Sequence, residues 1–441
     1  MSRVRRQLAT ATAAGLVAAC TAAASTQAAA WRLDSSFGSR GVAGLPVREE
    51  GIDSLYPPGP GAKGSLLAPG RQGSLYVGGY ADRKKGSFLL ARLSARGRLV
   101  KGFGHGGVIV VPGIYSTPQT PPRILAVAGG KPLVVGLNRA NQLVIIRMTS
   151  AGRADGTFAH AGVGRYDLPD AHGDAIVTAA EVEPDGNILV AYYAREMPQP
   201  VNEPRIAPGL GRGPAELVRV LPSGALDSSF GHGGFLKTSG SPPATGEAPA
   251  VGVTLAADGS VLIAYEQALA PGNLSQLPAV QELTAAGAPA EFGVGQTSFL
   301  PHQPQLHGES SSIFGALFAL PGGGVEASFG GAGELFRFTS SGAPDPTFGT
   351  SGHTLGGSNV SALAIAPDGE TFALASSTGL TVGGTLTSGA PDAALGGRNG
   401  KHFAVTSPHR RAREEQPALE LLAGNATLSI LIGEEVVRLR R

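Results

Sequence analysis

Side chains that could bind a ligand or move a proton are concentrated in three segments near the middle of the chain. Two long segments, 192–215 and 265–279, each follow an apolar run, and a shorter polar segment, 301–310, comes after them. Together they supply aromatic rings, guanidinium groups, carboxylates and imidazoles, a mixture that fits a glycan, a peptide or a small anion. The candidate ligand-binding residues are Tyr192, Tyr193, Arg195, Glu203, Arg205, Tyr265, Glu266, His302 and His307.

Catalysis would require an acid, a base or a nucleophile that converge in one place. Glu266 with His302 or His307 is the nearest set, but no HExxH, CxxC, GxSxG or phosphate-binding loop accompanies it. We therefore assign no catalytic residue, no metal site and no cofactor, and an enzyme is the less favoured interpretation. The competing interpretation of these segments is that they are solvated insertions, as the five prolines within 197–214 indicate.

A turn motif that recurs along the chain predicts the scaffold behind these segments. Residues 224–234 read GALDSSFGHGG, and related strings return every ~60 residues. A second tight turn between β-branched-rich runs also occurs seven times, for example PDGN at 184–187. Each repeat then holds four antiparallel strands, so the chain is predicted to be an all-β, seven-bladed β-propeller. The seven copies of the first motif align on Phe37, Phe103, Phe158, Phe230, Phe292, Phe348 and Leu395.

The two ends of the chain hold complementary parts of one repeat. The chain begins with a motif at 33–41 that lacks its preceding strands, and it ends with strand-like runs at 417–424, 426–432 and 436–440 that lack their motif. An open solenoid would need a capping repeat at each end. We therefore predict a ring closed by N- and C-terminal strands that share one blade, with 31–441 forming a single domain.

These strings resemble the delta-60 repeat family of bacterial β-propellers, whose pattern combines a strand with a G-x-x-D-x-(S/T)-F-G-x-x-G turn. The resemblance covers roughly 33–441 and implies a propeller, often on exported bacterial proteins, without implying a reaction. The sequence departs from the pattern at Val100 and at Ala290 or Glu291, where Asp is expected, and at Leu395, which replaces Phe. We expect these blades to close less regularly.

The recurring residues have structural interpretations beside chemical ones. The motif Asp could contribute to calcium sites, but one carboxylate per repeat is far from the six to eight oxygens that calcium takes, and Asp also caps its own turn. We expect the motif Phe to anchor the core and the next Gly to take a positive φ angle. Three histidines at equivalent turns, which lie too far apart to share a zinc ion, are expected to be exposed or turn-bonded. These residues are Asp34, Asp155, Asp227, Asp345, Asp392, His105, His160 and His232.

The first 30 residues have the layout of a secretory signal peptide. Arginines at positions 3, 5 and 6 precede an apolar run, and AxA-like cleavage sites follow at 28–30. The string LVAAC resembles a lipobox, which would make Cys20 a lipidation site, and cleavage after Ala30 is the alternative. Cys20 is the only cysteine, so the chain forms no intrachain disulfide. We expect export, to the extracellular space or the outer face of a bacterial membrane.

Composition narrows the function further. The net charge is +2 and the arginines are scattered, which argues against nucleic acid, and contact with a membrane is expected only through a lipid anchor. We expect a monomeric binding or interaction module of the cell envelope, with a glycan, a peptide or a cell-surface protein as partner. The alternatives are a propeller enzyme acting on a polysaccharide or a small metabolite, and a purely structural surface module.

Overall fold

The structure is a computed structural model. It describes residues 30–45, 66–82, 87–115, 122–169, 174–195, 216–238, 250–256, 258–268, 276–293, 297–299, 316–329, 334–354, 360–375, 380–395, 403–404, 419–424, 426–432 and 435–441. The expectations for Cys20, Glu203, Arg205, His302 and His307 fall outside these residues. Within them, no helix has the length and apolar character needed to cross a membrane.

The described chain is built from short strands and two three-residue 3-10 helices, Arg71–Gly73 and Ala393–Leu395. In chain order the strands are β1 (Arg32–Leu33), β2 (Val42–Gly44), β3 (Leu67–Pro69), β4 (Leu75–Asp82), β5 (Ser87–Leu93), β6 (Val108–Val111), β7 (Arg123–Val127), β8 (Lys131–Leu137), β9 (Leu143–Arg147), β10 (Val163–Tyr166), β11 (Asp174–Val182), β12 (Ile188–Arg195), β13 (Glu216–Val220), β14 (Phe235–Lys237), β15 (Ala250–Leu255), β16 (Val261–Ala268), β17 (Gln276–Leu283), β18 (Thr297–Phe299), β19 (Ala316–Ala319), β20 (Val325–Phe329), β21 (Glu334–Phe338), β22 (His353–Thr354), β23 (Val360–Ile365), β24 (Thr371–Ala375), β25 (Thr381–Thr385), β26 (Phe403–Ala404), β27 (Leu419–Gly424), β28 (Thr427–Ile432) and β29 (Glu435–Arg440).

These strands form seven antiparallel sheets arranged in a ring, and the protein is a seven-bladed β-propeller. Blades 1 to 6 each contain four consecutive strands, starting with β3–β6 and ending with β23–β26. The first strands of neighbouring blades pack against one another, as β3 does against β7 and β27 does against β3. The predicted architecture is confirmed.

Blade 7 joins the two ends of the chain. Strands β27, β28 and β29 come from the C-terminal end, and both β1 and β2 pair with β29. Val42 lies opposite Val437 and Arg32 lies opposite Arg440 in this register. The predicted closure is therefore confirmed, and the backbone hydrogen bonds of β29 hold the ring shut.

Each blade packs between two neighbours, so long runs of its inner strands are buried. All of residues 428–432 and 132–137 are buried. The motif side chain of every blade is also buried: Phe37 is 0% exposed, and Leu395 fills the same role at 0%. The motif phenylalanines are core anchors, as predicted.

The glycine after the motif Phe is required by its backbone. Gly38 has a φ angle of 56°, and a Cβ added there would lie 2.0 Å from the carbonyl oxygen of Val42. The one alanine at this position among the described motifs, Ala159, takes a φ angle of 43°, which costs an L-residue energy. The predicted positive φ angle is confirmed.

Two expectations about the repeat need correction. The turn at Val100 closes as the regular turns do, because Val100 donates a backbone bond to Arg92 at 2.9 Å and accepts one from Phe103 at 2.8 Å. Among the described residues, the turn at Ala290 keeps the first of these bonds, to Glu282 at 2.9 Å, without the second, and its motif is one residue shorter. Main-chain groups make these bonds, so the identity of the side chain matters little.

The second correction concerns the segments expected to be loops from residues 192 and 265. Strand β12 continues to Arg195 and β16 to Ala268, while β17 begins at Gln276. Tyr192 pairs with Glu216, and Glu266 pairs with Pro278. Tyr192, Tyr193, Arg195, Tyr265 and Glu266 are thus strand residues, since pairing continues to satisfy the backbone donors and acceptors there.

Candidate functional site

One end of the ring carries the turns between the second and third strands of each blade together with the segments that lead to the next blade. This follows from the antiparallel order, in which those connections leave from the same end. We call this end the ligand face. The candidate segments 196–215 and 269–275 fall outside the described residues.

The described part of the ligand face contains a groove between blades 1 and 2, here called the rim groove. One wall is formed by residues 110–115, of which the first two end β6 and the others follow it. Residues 138–140 of the β8–β9 turn form the other wall. Arg165 on β10 completes the lining, and the cavity volume is about 510 Å³. The backbone N–H of Tyr115 donates to the carbonyl of Leu137 at 2.7 Å, which holds the two walls together.

The β8–β9 turn is held in one shape by the side chain of Asn138. Its Oδ1 accepts the backbone N–H groups of Ala140 at 2.8 Å and Gln142 at 3.0 Å, and its Nδ2 donates to Gln142 Oε1 at 2.8 Å. Gln142 Nε2 donates in turn to Asp167 Oδ1 at 2.7 Å. These local bonds are typical of an Asx turn and leave Arg139 at an exposed tip.

The rim groove combines positive charge with apolar and aromatic surface. The guanidinium of Arg139 lies over the ring of Tyr115, 4.7 Å from its centroid. Ile114 is buried beneath the groove, whereas Val110 is 61% exposed, one of two large apolar side chains exposed among the described residues. Arg165 is exposed, and its Nη2 lies 3.8 Å from where a Cβ on Gly113 would be.

Tyr192, the one sequence-proposed candidate whose side chain the structure describes, does not line this groove. The side chain of Tyr192 is 1% exposed and packs in the core with Val177, Val190 and Val218. For Tyr193, Arg195, Tyr265 and Glu266 the structure describes the strand backbone, and the remaining candidates fall outside the described residues. The rim groove is built by a five-residue turn and an inter-blade segment. Loop length was the signal used to select candidates from the sequence, and neither of these segments is a long loop.

A recurring arginine on the third strand was also missed. It lies eight residues before the motif Asp, as Arg147 does before Asp155 and Arg219 before Asp227, and this spacing was the available signal. Its guanidinium stacks on the motif ring of the same blade. The distances from guanidinium carbon to ring centroid are 4.9 Å for Arg147 and Phe158, 4.4 Å for Arg219 and Phe230, 4.3 Å for Arg337 and Phe348, and 4.1 Å for Arg438 and Phe37.

Each of these arginines also reaches the next blade. Arg147 Nη1 donates to the carbonyl of Pro222 at 2.7 Å, and the backbone N–H of Ala159 donates to the following carbonyl, Ser223, at 2.7 Å. Arg92, Arg337 and Arg438 make the equivalent contact to Ser150, Thr387 and Ala95, and Arg219 makes it to Ala285. We call this pair of bonds the blade clip. The repeated motif therefore joins neighbouring blades.

The motif Asp serves the same clip. In all five copies its Oδ1 accepts a backbone N–H two residues later, as Asp155 does from Thr157 at 3.2 Å, which confirms the turn-capping interpretation. In two blades its Oδ2 pairs with the clip arginine, at 3.1 Å for Asp155 and Arg147 and at 2.7 Å for Asp227 and Arg219, whereas Arg337 pairs with Glu326. Hydrogen bonds from Lys131 and Thr157 hold the pKa of Asp155 well below its usual value.

Metal ligation finds no support at these turns. Among the described residues, no three His, Cys, Asp or Glu side chains converge as a metal ion would require. His105, His160 and His232 are exposed. The backbone N–H groups of His105 and His232 donate within their own turns, and the carbonyl of His160 accepts the backbone N–H of Val163.

The motif Asp of blade 6 pairs with an arginine from another blade. Gly384 occupies the arginine position, and Arg441, following β29 of blade 7, pairs with Asp392 at 2.7 Å and with Glu370 at 3.0 Å. Trp31 Nε1 also donates to Asp392, at 3.1 Å. Burial and the neighbouring Asp392 carboxylate raise the pKa of Glu370 to about 7, with Arg441 opposing them.

Comparison with known proteins finds solved structures of similar fold but assigns the chain to no family. No family model and no curated protein matches the chain. The extracellular domain of a protein from B. thetaiotaomicron described as a one-component system is 10% identical with a TM-score of 0.42, covering 86% of this chain and 39% of its own length. The chain therefore spans well under half of that domain.

Two further solved structures are similarly distant. A protein from Lactobacillus plantarum is 16% identical with a TM-score of 0.43, over 74% of this chain and 82% of its own. A gluconolactonase from Xanthomonas campestris is 11% identical with a TM-score of 0.33, over 88% of each chain. Likenesses this weak transfer no activity to this chain.

Proposed function

We propose that the chain is an exported, non-catalytic β-propeller of the cell envelope that binds a ligand on its ligand face. The repeated residues are used in the blade clips and the core, so that any binding chemistry must come from unrepeated residues. The rim groove is the observation that supports this proposal. It is a concave site with two arginines, an aromatic ring and exposed apolar surface, which is the usual composition of a ligand site.

Export is supported by the arginines and the apolar run before residue 31. The enzyme alternative rests on Glu266 with His302 or His307, and no contact of the described residues favours it. We therefore keep one function, a binding module.

The experiment has two parts. The full-length gene is expressed in a bacterial host, the chain is recovered from each cell fraction, and its mature N-terminus is read by mass spectrometry. A lipidated Cys20 or a start after Ala30 is the expected result, and an intact leader on cytoplasmic protein would contradict export.

The recovered protein is then titrated by thermal shift with sugars, cell-wall fragments, peptides and metal salts. Binding predicts a saturable rise of the melting temperature with one chemical class, since a ligand of the folded state stabilises it by mass action. The absence of any saturable shift across the panel would refute the binding function.

A further inference from the structure

We propose that the rim groove binds a small acidic sugar, with its carboxylate on Arg139 and Arg165 and its ring against Tyr115 and Val110. This deepens the proposed function and rests on it. Four observations carry the inference: the two cations, the apolar wall, the size of the groove and its rigidity.

The two arginines come from different elements and line the same groove. Arg139 lies on the β8–β9 turn and Arg165 on β10, and both are exposed. A guanidinium keeps its charge at every physiological pH and donates a planar fork that matches a carboxylate. The Arg139 guanidinium lies 4.7 Å from the centroid of the Tyr115 ring, so this ring is next to the position proposed for the carboxylate.

These arginines do not belong to the repeat. The clip arginines are on third strands and donate to carbonyls of the next blade. Arg165 is on a fourth strand, opposite Val144, where blade 1 has Val110 opposite Leu89 and blade 3 has Lys237 opposite Glu216. The architecture therefore does not require an arginine at position 165.

The apolar wall indicates a ring rather than a bare anion. Val110 is 61% exposed, and it lines the groove together with Tyr115 and the buried Ile114. The faces of sugar rings carry C–H groups that pack on aromatic and aliphatic surface. An inorganic anion has no such groups, so an apolar wall does not stabilise its binding. A volume of about 510 Å³ also lies within the ~300–1,000 Å³ of small-molecule sites, which exceeds what a single phosphate fills.

The groove is ordered by contacts within the protein. The bonds of Asn138 fix the turn, and the Tyr115 to Leu137 bond fixes the opposite wall. Binding then loses little conformational entropy, which favours measurable affinity for a small ligand.

The test measures binding of glucuronic and galacturonic acid to the full-length protein by calorimetry, with glucose and galactose as neutral counterparts and with benzoate and inorganic phosphate as other anions. We expect saturable binding of a uronic acid, at least ~10-fold weaker binding of the neutral sugar, and weakening by added salt. Equal binding of acidic and neutral sugars, or no binding of either acid, would overturn the inference. Tighter binding of phosphate or benzoate than of both acids would also overturn it.

Variants locate the site. Arg165→Gln should weaken uronic acid binding ~10- to 100-fold, as loss of a charge-assisted hydrogen bond does, and Tyr115→Ala should weaken it less. Arg139→Lys keeps the positive charge but loses the planar guanidinium donors. Its affinity for the uronic acid should therefore lie between that of wild type and that of Arg139→Gln. The matched control is Arg153→Gln, an exposed arginine in the turn at the other end of blade 2, which should bind as wild type.

The outcomes separate this inference from the proposed function. If the control Arg153→Gln weakens binding as much as Arg165→Gln, the site is elsewhere and the inference fails. If another class in the thermal-shift panel binds while uronic acids do not, the binding function stands and the acidic-sugar assignment is wrong. If nothing binds, both are wrong.

Discussion

Replacing Glu370 by glutamine should remove a pH dependence of stability that comes from the contact between blades 6 and 7. Glu370 is 4% exposed and lies beside Asp392, with Arg441 3.0 Å from its Oε2. Burial, the larger cause, and the neighbouring Asp392 carboxylate, the second, raise its pKa to about 7 from the usual 4.5. Protonated Glu370 is therefore favoured in the folded protein.

The sign and size of the effect follow from linkage. Because the pKa in the folded state is higher than in the unfolded state, the stabilisation is complete below pH 4.5 and is lost as the pH rises to about 7. A pKa difference from 4.5 to about 7, at about 1.36 kcal/mol per pH unit, gives about 3 kcal/mol. With an unfolding entropy of about 2.1 cal/mol/K per residue over 441 residues, this corresponds to about 3 °C in Tm.

The assay is thermal unfolding from pH 4.5 to 7.5 for wild type, Glu370→Gln and the control Glu291→Gln. Glu291 is exposed, so its replacement should leave the pH profile unchanged. The Tm of wild type relative to Glu370→Gln should fall by about 3 °C across this range. Parallel profiles for wild type and Glu370→Gln would show that Glu370 does not titrate in this window, and the reasoning from burial would be wrong.

Three further predictions concern the blade clip, each checked by urea unfolding. Ala159→Gly should stabilise the protein by about 0.5–1 kcal/mol, because glycine accepts the φ angle of 43° without strain; an unchanged midpoint would contradict strain at this site. Gly38→Ala should destabilise by about 1–3 kcal/mol, since the new Cβ meets the Val42 carbonyl oxygen, and wild-type stability would refute that clash. Arg147→Ala should cost about 2–3 kcal/mol through the lost bonds to blade 3, whereas the exposed Arg153→Ala should cost little, and equal losses would show that the clip does not stabilise the ring.

Much of the fold could be predicted because its signals are local and periodic. A Phe-Gly turn every ~60 residues and a second turn between apolar runs specify strands, blades and their number without knowledge of contacts. The incomplete repeats at the two ends specified the closure by β1, β2 and β29. The same periodicity made the capping role of the motif Asp predictable, because an Asp two residues before an N–H can bond it within one turn.

The candidate site was less predictable because it depends on neighbours in space. Loop length pointed to blades 3 and 4, but strand pairing carried Tyr192 and Glu266 into the sheets and buried the Tyr192 side chain. The rim groove joins Tyr115 to Arg139 across two blades, and nothing in either short segment marks it as a site.

The sequence by itself determined the number of blades, the strand order and the way the ring closes, because each follows from turns and apolar runs that a short stretch of chain specifies. Only the tertiary structure decided which blade a side chain serves. Arg441 takes the place that Gly384 leaves open in blade 6, and Arg147 joins its own blade to the next. Packing between blades determines these partners. It brings together residues that are far apart in the chain, and their spacing in the sequence does not indicate that they meet.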